Sequence, residues 1–245
     1  MLREQAVASL APIEKPLRRV GGRFADAGWE IALVGGPVRD ALVGRLSFET
    51  DLDFTTNAQP EQIVDLLEGW AEAVWDVGIR FGTVGARIDG REVEITTYRS
   101  ESYDAESRKP EVAFGNNLAD DLARRDFTMN AMAVTLPSME FVDLFDGIVD
   151  LAARLIRTPG TAQSSFDDDP LRMMRAARFA SQLDATVDAD VVDAMSAQAE
   201  RISIVSAERV REEFSKIVMS DHPRVGLTLL VDTGIADIVL PELPL

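Results

Sequence analysis

The chain of 245 residues contains no cysteine, which excludes disulfides and thiolate metal sites. It has one histidine, His222, in the helix-start context "SDHPR", so neither a catalytic triad nor a histidine-rich zinc site fits. No apolar run approaches the length of a membrane span. The opening "MLREQAVASLAPIEKPLRRV" lacks the uninterrupted apolar core of a signal peptide, and the two absences together predict a cytoplasmic protein. Positive charge is scarce: 25 Lys and Arg stand against 42 Asp and Glu, a net charge of −17. That balance argues against broad, sequence-independent attraction to nucleic acid, which rests on phosphate neutralisation. A local groove built from particular arginines is still open. Hydrophobic residues at 46% and charged residues at 27% are ordinary for a globular chain of one large or two small domains.

Apolar spacing predicts an amphipathic helix over 13–27, a buried strand over 30–34, a turn at 35–37 and a short helix over 38–43. A strand at 51–55 and a helix over 60–71, opened by Pro60, follow. Strands 81–87 and 91–97 flank Asp89-Gly90, a hairpin signal. The polar stretch 99–117 reads as a long mobile loop of the kind that is often functional. A helix over 118–130 and strands at 132–136 and 140–143 complete this part. After Thr158-Pro159-Gly160 strand signals vanish, and helices are predicted over 170–183, 189–199, 207–219 and 223–232. A mixed α/β part thus gives way to an all-helical part near residue 160.

The densest chemistry lies in "GGPVRDALVGRLSFETDLDFTT", residues 35–56. On a strand, Asp51 and Asp53 project from one face while Leu52 enters the core. Two ionised carboxylates so close repel unless a cation lies between them. Mg²⁺ suits hard oxygen ligands and commonly links one or two carboxylates to substrate phosphates. A lone Asp-x-Asp also reads as a solvated strand end. Gly35 and Gly36, between a strand and a helix, would let a phosphate approach the backbone, and Arg39 would add a charged fork. Alone, the two glycines read equally as a tight turn. "EVEITTY" places Glu92 and Glu94 on one strand face; if this strand neighbours Asp51–Asp53, one of them is a third carboxylate, and Glu94, farther from the hairpin, is the better choice.

"FDDDPLRMMRAARFASQL" is the second unusual segment. Acids before a helix commonly cap it and complement its dipole. Here, however, Asp169, Arg172, Arg175 and Arg178 recur every third residue beside the apolar Met173, Met174, Ala177, Ala180 and Leu183. Three arginines in one stripe of an acidic protein point to an anionic partner.

The segments "LVGGPVRDALVGR…TDLDFTT", "EVEITTYR", "DLARRDFTMNAMAV", "DGIVDLAARLIRT", "DDPLRMMRAARFASQL" and "ERVREEF" occur in the order found in class II tRNA nucleotidyltransferases, the CCA-adding enzymes. These group with bacterial poly(A) polymerases in the polymerase-beta-like superfamily, and the resemblance covers nearly the whole chain. It implies an α+β fold: a nucleotidyltransferase head over 1–160, a helical neck over 161–222 that reads the nucleotide base, and over 223–245 the start of a truncated helical body. It implies template-independent transfer from CTP and ATP to the tRNA 3′ end, with release of pyrophosphate and two Mg²⁺ ions. Asp51 and Asp53 resemble the metal-binding catalytic pair, to which the strand reading above adds Glu94. Gly36, Arg39 and Arg125 resemble nucleotide contacts of the head, with Asp126 beside the ribose. Asp169 and Arg172 resemble the pair that reads the base, and Arg175 and Arg178 further nucleotide-binding arginines. "ERVREEF" resembles a motif bracing the neck helices.

Cytosine and adenine both present an exocyclic amine beside a ring-nitrogen acceptor, which one carboxylate and one arginine can satisfy. Uracil and guanine put a carbonyl in place of that amine. Asp168 departs from the family pattern, standing where Glu is usual. "VGIRFGTV" favours the CCA-adding group over poly(A) polymerases, which usually carry a basic "GRRF"-like stretch. A poly(A)- or A-adding enzyme and a non-catalytic nucleotide-binding module are the alternatives.

Overall fold

The structure, a computed structural model, describes residues 6–47, 50–78, 82–100, 113–115 and 117–241. Most of the 99–117 segment read as a mobile loop, and Ile79, Arg80 and Phe81 of "VGIRFGTV", lie outside the described residues. The chain forms two compact units, Met1–Arg125 with Asn130–Gly147, and Asp126–Met129 with Ile148–Leu245. The division at Gly147 comes earlier than the expected residue 160, and the four residues 126–129 belong with the later part.

The first unit is built on a seven-stranded sheet of order β3-β4-β5-β2-β1-β8-β9. Its strands are β1 (Ile31–Val34), β2 (Leu52–Thr56), β3 (Ala73–Gly78), β4 (Thr83–Ile88), β5 (Arg91–Thr97), β8 (Met132–Leu136) and β9 (Glu140–Asp143). Only β2 and β5 pair in parallel; every other neighbour is antiparallel. All four residues of β1 are buried, which explains why "IALV" is apolar without alternation. Ala32 and Val34 pack with Ala133 of β8 and Leu122 of helix α4 (Leu118–Ala123). Against β1 and β8 also lies helix α1 (Glu14–Asp26), which buries Leu17, Val20 and Phe24, spaced i, i+3, i+7 and so on one helix face. Helices α2 (Gly36–Leu42) and α3 (Pro60–Leu67) complete this sheet's connections. The ends of the 99–117 stretch pair as short strands, β6 (Arg99–Ser100) with β7 (Ala113–Phe114).

The second unit is helical, with α5 (Gly147–Ala153), α6 (Ala162–Asp168), α7 (Leu171–Leu183), α8 (Ala189–Gln198), α9 (Ala207–Val218), α10 (Pro223–Asp232) and α11 (Ala236–Val239). It is not entirely helical: β10 (Leu155–Ile156) and β11 (Thr186–Val187) form a two-residue parallel ladder. Helix α7 is central and buries Met173, Met174, Ala177 and Ala180, as its apolar stripe predicted. Helix α10 crosses it at Gly226, whose backbone N–H donates to Ser181 Oγ at 2.9 Å. A Cβ at Gly226 would lie 2.5 Å from the Ala177 carbonyl oxygen, so only glycine permits this crossing. The 126–129 segment is fastened by buried Asp150, which accepts from Thr128 Oγ1 at 2.6 Å and from Arg157 Nε and Nη2 at 3.1 and 3.0 Å.

Candidate active site

In the first unit the candidate site forms where β1 ends and β2 begins, beside α2. Leu52 is buried, Asp53 half-buried and Asp51 exposed, so the predicted alternation holds, although Asp51 stands one residue before the strand. The parallel register sets Glu94 of β5 directly beside Asp53. Glu94 is exposed on the strand face. Partial enclosure, with the Asp51 charge added, holds its carboxyl above the ordinary carboxylate range. Like charges therefore gather here. Among the described residues no three His, Cys, Asp or Glu side chains close into a metal cage. An open set of carboxylate oxygens is nevertheless the donor chemistry of a cation that keeps waters and substrate phosphates as further ligands.

Gly35 leaves β1 with φ +71 and ψ −133. A Cβ there would sit 3.1 Å from Arg125 Nη1 and 3.9 Å from Asp53 Oδ2, so the bare backbone, an arginine and a carboxylate meet at one point. Arg125 is oriented by Asp121, one helical turn earlier, whose Oδ2 accepts from Nη2 at 3.1 Å. Arg99 gathers near the same carboxylate: its backbone N–H donates to Asp121 Oδ1 at 3.4 Å. Burial, with the charges of Arg124 and Arg125, lowers the Arg99 pKa despite Asp121. Arg39 is less open than its sequence position suggests. Its side chain is 12% exposed, with Nε and Nη2 on Asp40 Oδ1 at 2.9 and 2.7 Å and Nη1 on Asn130 Oδ1 at 2.7 Å. Gly36 starts α2, and a Cβ on it would approach only Arg39 Nη2, at 3.8 Å.

The second unit carries the other predicted residues. Asp169 does not share a helix with the arginines, so the every-third stripe is helical only from Arg172 on. Asp167 and Asp168 lie within α6, Asp169 ends it in an extended conformation (φ −146, ψ 102), and α7 begins after Pro170. The physical reason is proline, which disfavours helical backbone at the preceding residue. Asp169 Oδ1 accepts from the Leu171 N–H at 3.0 Å, so the capping role is real, while Oδ2 accepts from Arg209 Nη2 at 3.0 Å. Arg172 reaches back to Ser165, with Nη1 2.8 Å from Oγ and 3.3 Å from the carbonyl oxygen.

Arg175 and Arg178 are already engaged by carboxylates. Asp126 Oδ2 accepts from Arg175 Nε and Nη2 at 2.8 and 2.5 Å, and its Oδ1 accepts from the Phe127 N–H at 2.8 Å. Buried Glu213, in "ERVREEF", accepts from Arg178 Nε at 2.6 Å. That guanidinium lies 4.0 Å from the Phe179 ring centre. Burial works against the charge of Arg175, but Asp126, helped by Glu213 and Asp169, holds its pKa above the usual value. For Arg178, burial and the neighbouring Arg175 outweigh Glu213, and its pKa falls. Arg209 and Glu213 belong to "ERVREEF", the stretch read as a bracing motif, whereas Ser165, Asn130 and Asp121 are polar residues that sequence reasoning did not single out. Only Asp121 left a local signal, its i, i+4 spacing from Arg125.

Residues 31–157 match the family model described as poly A polymerase head domain. The chain belongs to the poly(A) polymerase head-domain family. Residues 185–245 match a second model, described as the probable RNA and SrmB-binding site of polymerase A. The CCA-adding enzyme of Lactobacillus helveticus is 42% identical over 213 residues, 86% of this chain and 52% of that protein. That of Levilactobacillus brevis is 42% identical over 211 residues, 86% of this chain and 51% of that protein. The chain thus spans about half the length of these relatives. Among solved structures, the Bacillus stearothermophilus CCA-adding enzyme in complex with CTP superposes with a TM-score of 0.78 at 32% identity, covering 96% of this chain and 53% of that one. An apo CCA-adding enzyme superposes with a TM-score of 0.81 at 26% identity, covering 96% and 57%. The fold class expected from the sequence, a mixed head with helices following, agrees with these structures. No helix among the described residues is long and apolar enough to cross a membrane.

Proposed function

We propose that the chain carries the nucleotidyl-transfer machinery of a CCA-adding enzyme, adding C and A to the 3′ end of tRNA from CTP and ATP without a template. The observation that supports this most is the meeting of Gly35, Arg125 and Asp53 at one point, with Glu94 in register beside Asp53. In the reaction the terminal 3′ oxygen of the RNA attacks the α-phosphorus of the nucleotide. The bond from that phosphorus to the bridging oxygen breaks, and pyrophosphate leaves. Asp51 and Asp53, joined by Glu94, would hold divalent cations, read as two Mg²⁺, which supply charge neutralisation to the attacking and leaving oxygens. Arg125, held by Asp121, faces the phosphates across Gly35. Gly36 leaves the first turn of α2 bare for phosphate approach, and Arg39 stiffens that turn through Asp40 and Asn130. Asp169 and Arg172 read the base as acceptor and donor. Arg175 and Arg178, whose guanidinium groups are set by Asp126 and Glu213, are read as further nucleotide-binding arginines.

The relatives named above are CCA-adding enzymes, one of them solved with CTP. A reaction of this kind belongs in the cytoplasm, where tRNA is matured. The test is incubation with Mg²⁺, each single nucleoside triphosphate, and tRNAs ending at successive positions of CCA. CTP should extend the shortest tRNA and ATP the tRNA ending in CC, with UTP and GTP inert. Asp53→Asn should abolish addition while the variant melts as the parent does. Turnover retained in a folded Asp53→Asn variant would overturn the proposal. Repeated A addition with no use of CTP would assign the chain to poly(A) polymerases instead.

A further inference from the structure

Asp169 is held from two sides. Its Oδ1 is tied to the Leu171 N–H and its Oδ2 to Arg209 Nη2, each at 3.0 Å. Arg209 reaches it from the first turn of α9, where its own N–H donates to Ser206 Oγ at 3.4 Å. Glu213, four residues on and therefore on the same face of α9, grips Arg178 of α7. One face of α9 thus holds the acid that precedes α7 and an arginine within it. The Asp169–Arg209 pair is largely exposed, at 33% and 53%, so it adds little to folding stability. Its consequence is orientation.

We propose that Arg209 is a positioning residue for base selection: it fixes the Asp169 carboxylate so that a carbonyl on the pairing edge of a base is rejected. The inference rests on the reading of Asp169 and Arg172 as the base-selecting pair. A carboxylate with both oxygens tied has its plane set, and its remaining lone pairs point in fixed directions. An amine of cytosine or adenine donates to such a lone pair. The carbonyl of uracil or guanine meets it oxygen to oxygen. A carboxylate tied only through Oδ1 can turn aside from a carbonyl with little loss, because nothing holds Oδ2 in place. The anchor therefore acts mainly against the wrong nucleotide.

The experiment is equilibrium competition of CTP and UTP against a fluorescent ATP analogue on the 245-residue chain, with thermal melting alongside. Arg209→Gln should reduce the CTP-over-UTP affinity ratio about two- to fivefold, the scale of one exposed ion pair, mostly through a gain for UTP. Its melting should be unchanged. Arg209→Lys, which keeps a charged donor, should restore most of the ratio. If CTP and UTP weaken together, so that the ratio holds, Arg209 merely braces the helices and the inference fails. It fails too if neither affinity changes. A parent chain that binds CTP and UTP alike would instead remove the base-reading assignment beneath it, an outcome visible before any variant is made.

Discussion

Gly35 and Gly36 occupy adjacent positions for different reasons, and alanine at each should separate them. Gly35 has φ +71 and ψ −133, a region that an L residue enters at a cost of about 1–3 kcal/mol. In a unit of this size that cost lowers the melting temperature by roughly 2–12 °C. The new Cβ would also lie 3.1 Å from Arg125 Nη1, so the guanidinium must retreat by a few tenths of an ångström while Asp121 holds its other nitrogen. Losing one charge-assisted hydrogen bond to phosphate is worth about 1.5 kcal/mol, or roughly tenfold in nucleotide affinity. Gly36→Ala differs on both counts. Its Cβ would meet only Arg39 Nη2, at an ordinary 3.8 Å, on helical backbone. That substitution should leave melting unchanged or raise it slightly, by up to about 1 kcal/mol, while weakening nucleotide binding by crowding phosphate approach. The assays are circular-dichroism melting and ATP binding by equilibrium dialysis. Gly35→Ala with parental melting and affinity would refute the reasoning, as would Gly36→Ala melting as low as Gly35→Ala.

Three further expectations follow from the same geometry. Glu94 has a native pKa above its unfolded value, so the folded state loses stability as pH rises through it. Glu94→Gln should therefore melt above the parent at neutral pH in EDTA, converge with it at pH below the ordinary carboxylate range, and lose the advantage when Mg²⁺ is added; identical melting at neutral pH contradicts the crowding of Asp51 and Glu94. Asp150→Ala removes the acceptor for Thr128 Oγ1 and for Arg157, and because Arg157 is 43% exposed and can turn to water, the loss should be about 2–3 kcal/mol by urea unfolding. Arg172→Ala should weaken CTP and ATP together, since both would use the same ring-nitrogen acceptor; single-nucleotide binding curves in which only one of them changes would count against that role.

Much of the site was legible because it sits where local rules are strong. The alternation at Asp51-Leu52-Asp53 and the turn at Gly35 depend on neighbouring residues only. The strands at 132–136 and 140–143 and the helix at 223–232 match the structure at both ends. The parallel register that sets Glu94 beside Asp53 is a long-range fact, reached in the sequence only as a condition on strand order. β3 was not foreseen, because "AVWDVG" interrupts its apolar residues with Asp76 and shows no clean period. α6 was missed because its last turn is acidic, the reverse of what a helix C-terminus favours. The helix expected over 118–130 stops at Ala123, and Arg125 and Asp126 follow outside it. The partners of Arg175, Arg178 and Asp169 lie 35 to 49 residues away in sequence, beyond the reach of any spacing rule.

The place of β1 in the sheet has a consequence for how the protein is made. β1 pairs on one side with β2, some twenty residues later, and on the other with β8, about a hundred residues later. As the chain leaves the ribosome, β1 to β5 can assemble long before β8 exists. Until then a fully apolar strand presents an open edge, the kind that recruits other unfinished chains. Slow synthesis between residues 97 and 132 would prolong that exposure. Substitutions that delay the pairing of Val34 with Ala133 should therefore reduce yield in the cell more than they reduce the stability of the finished protein.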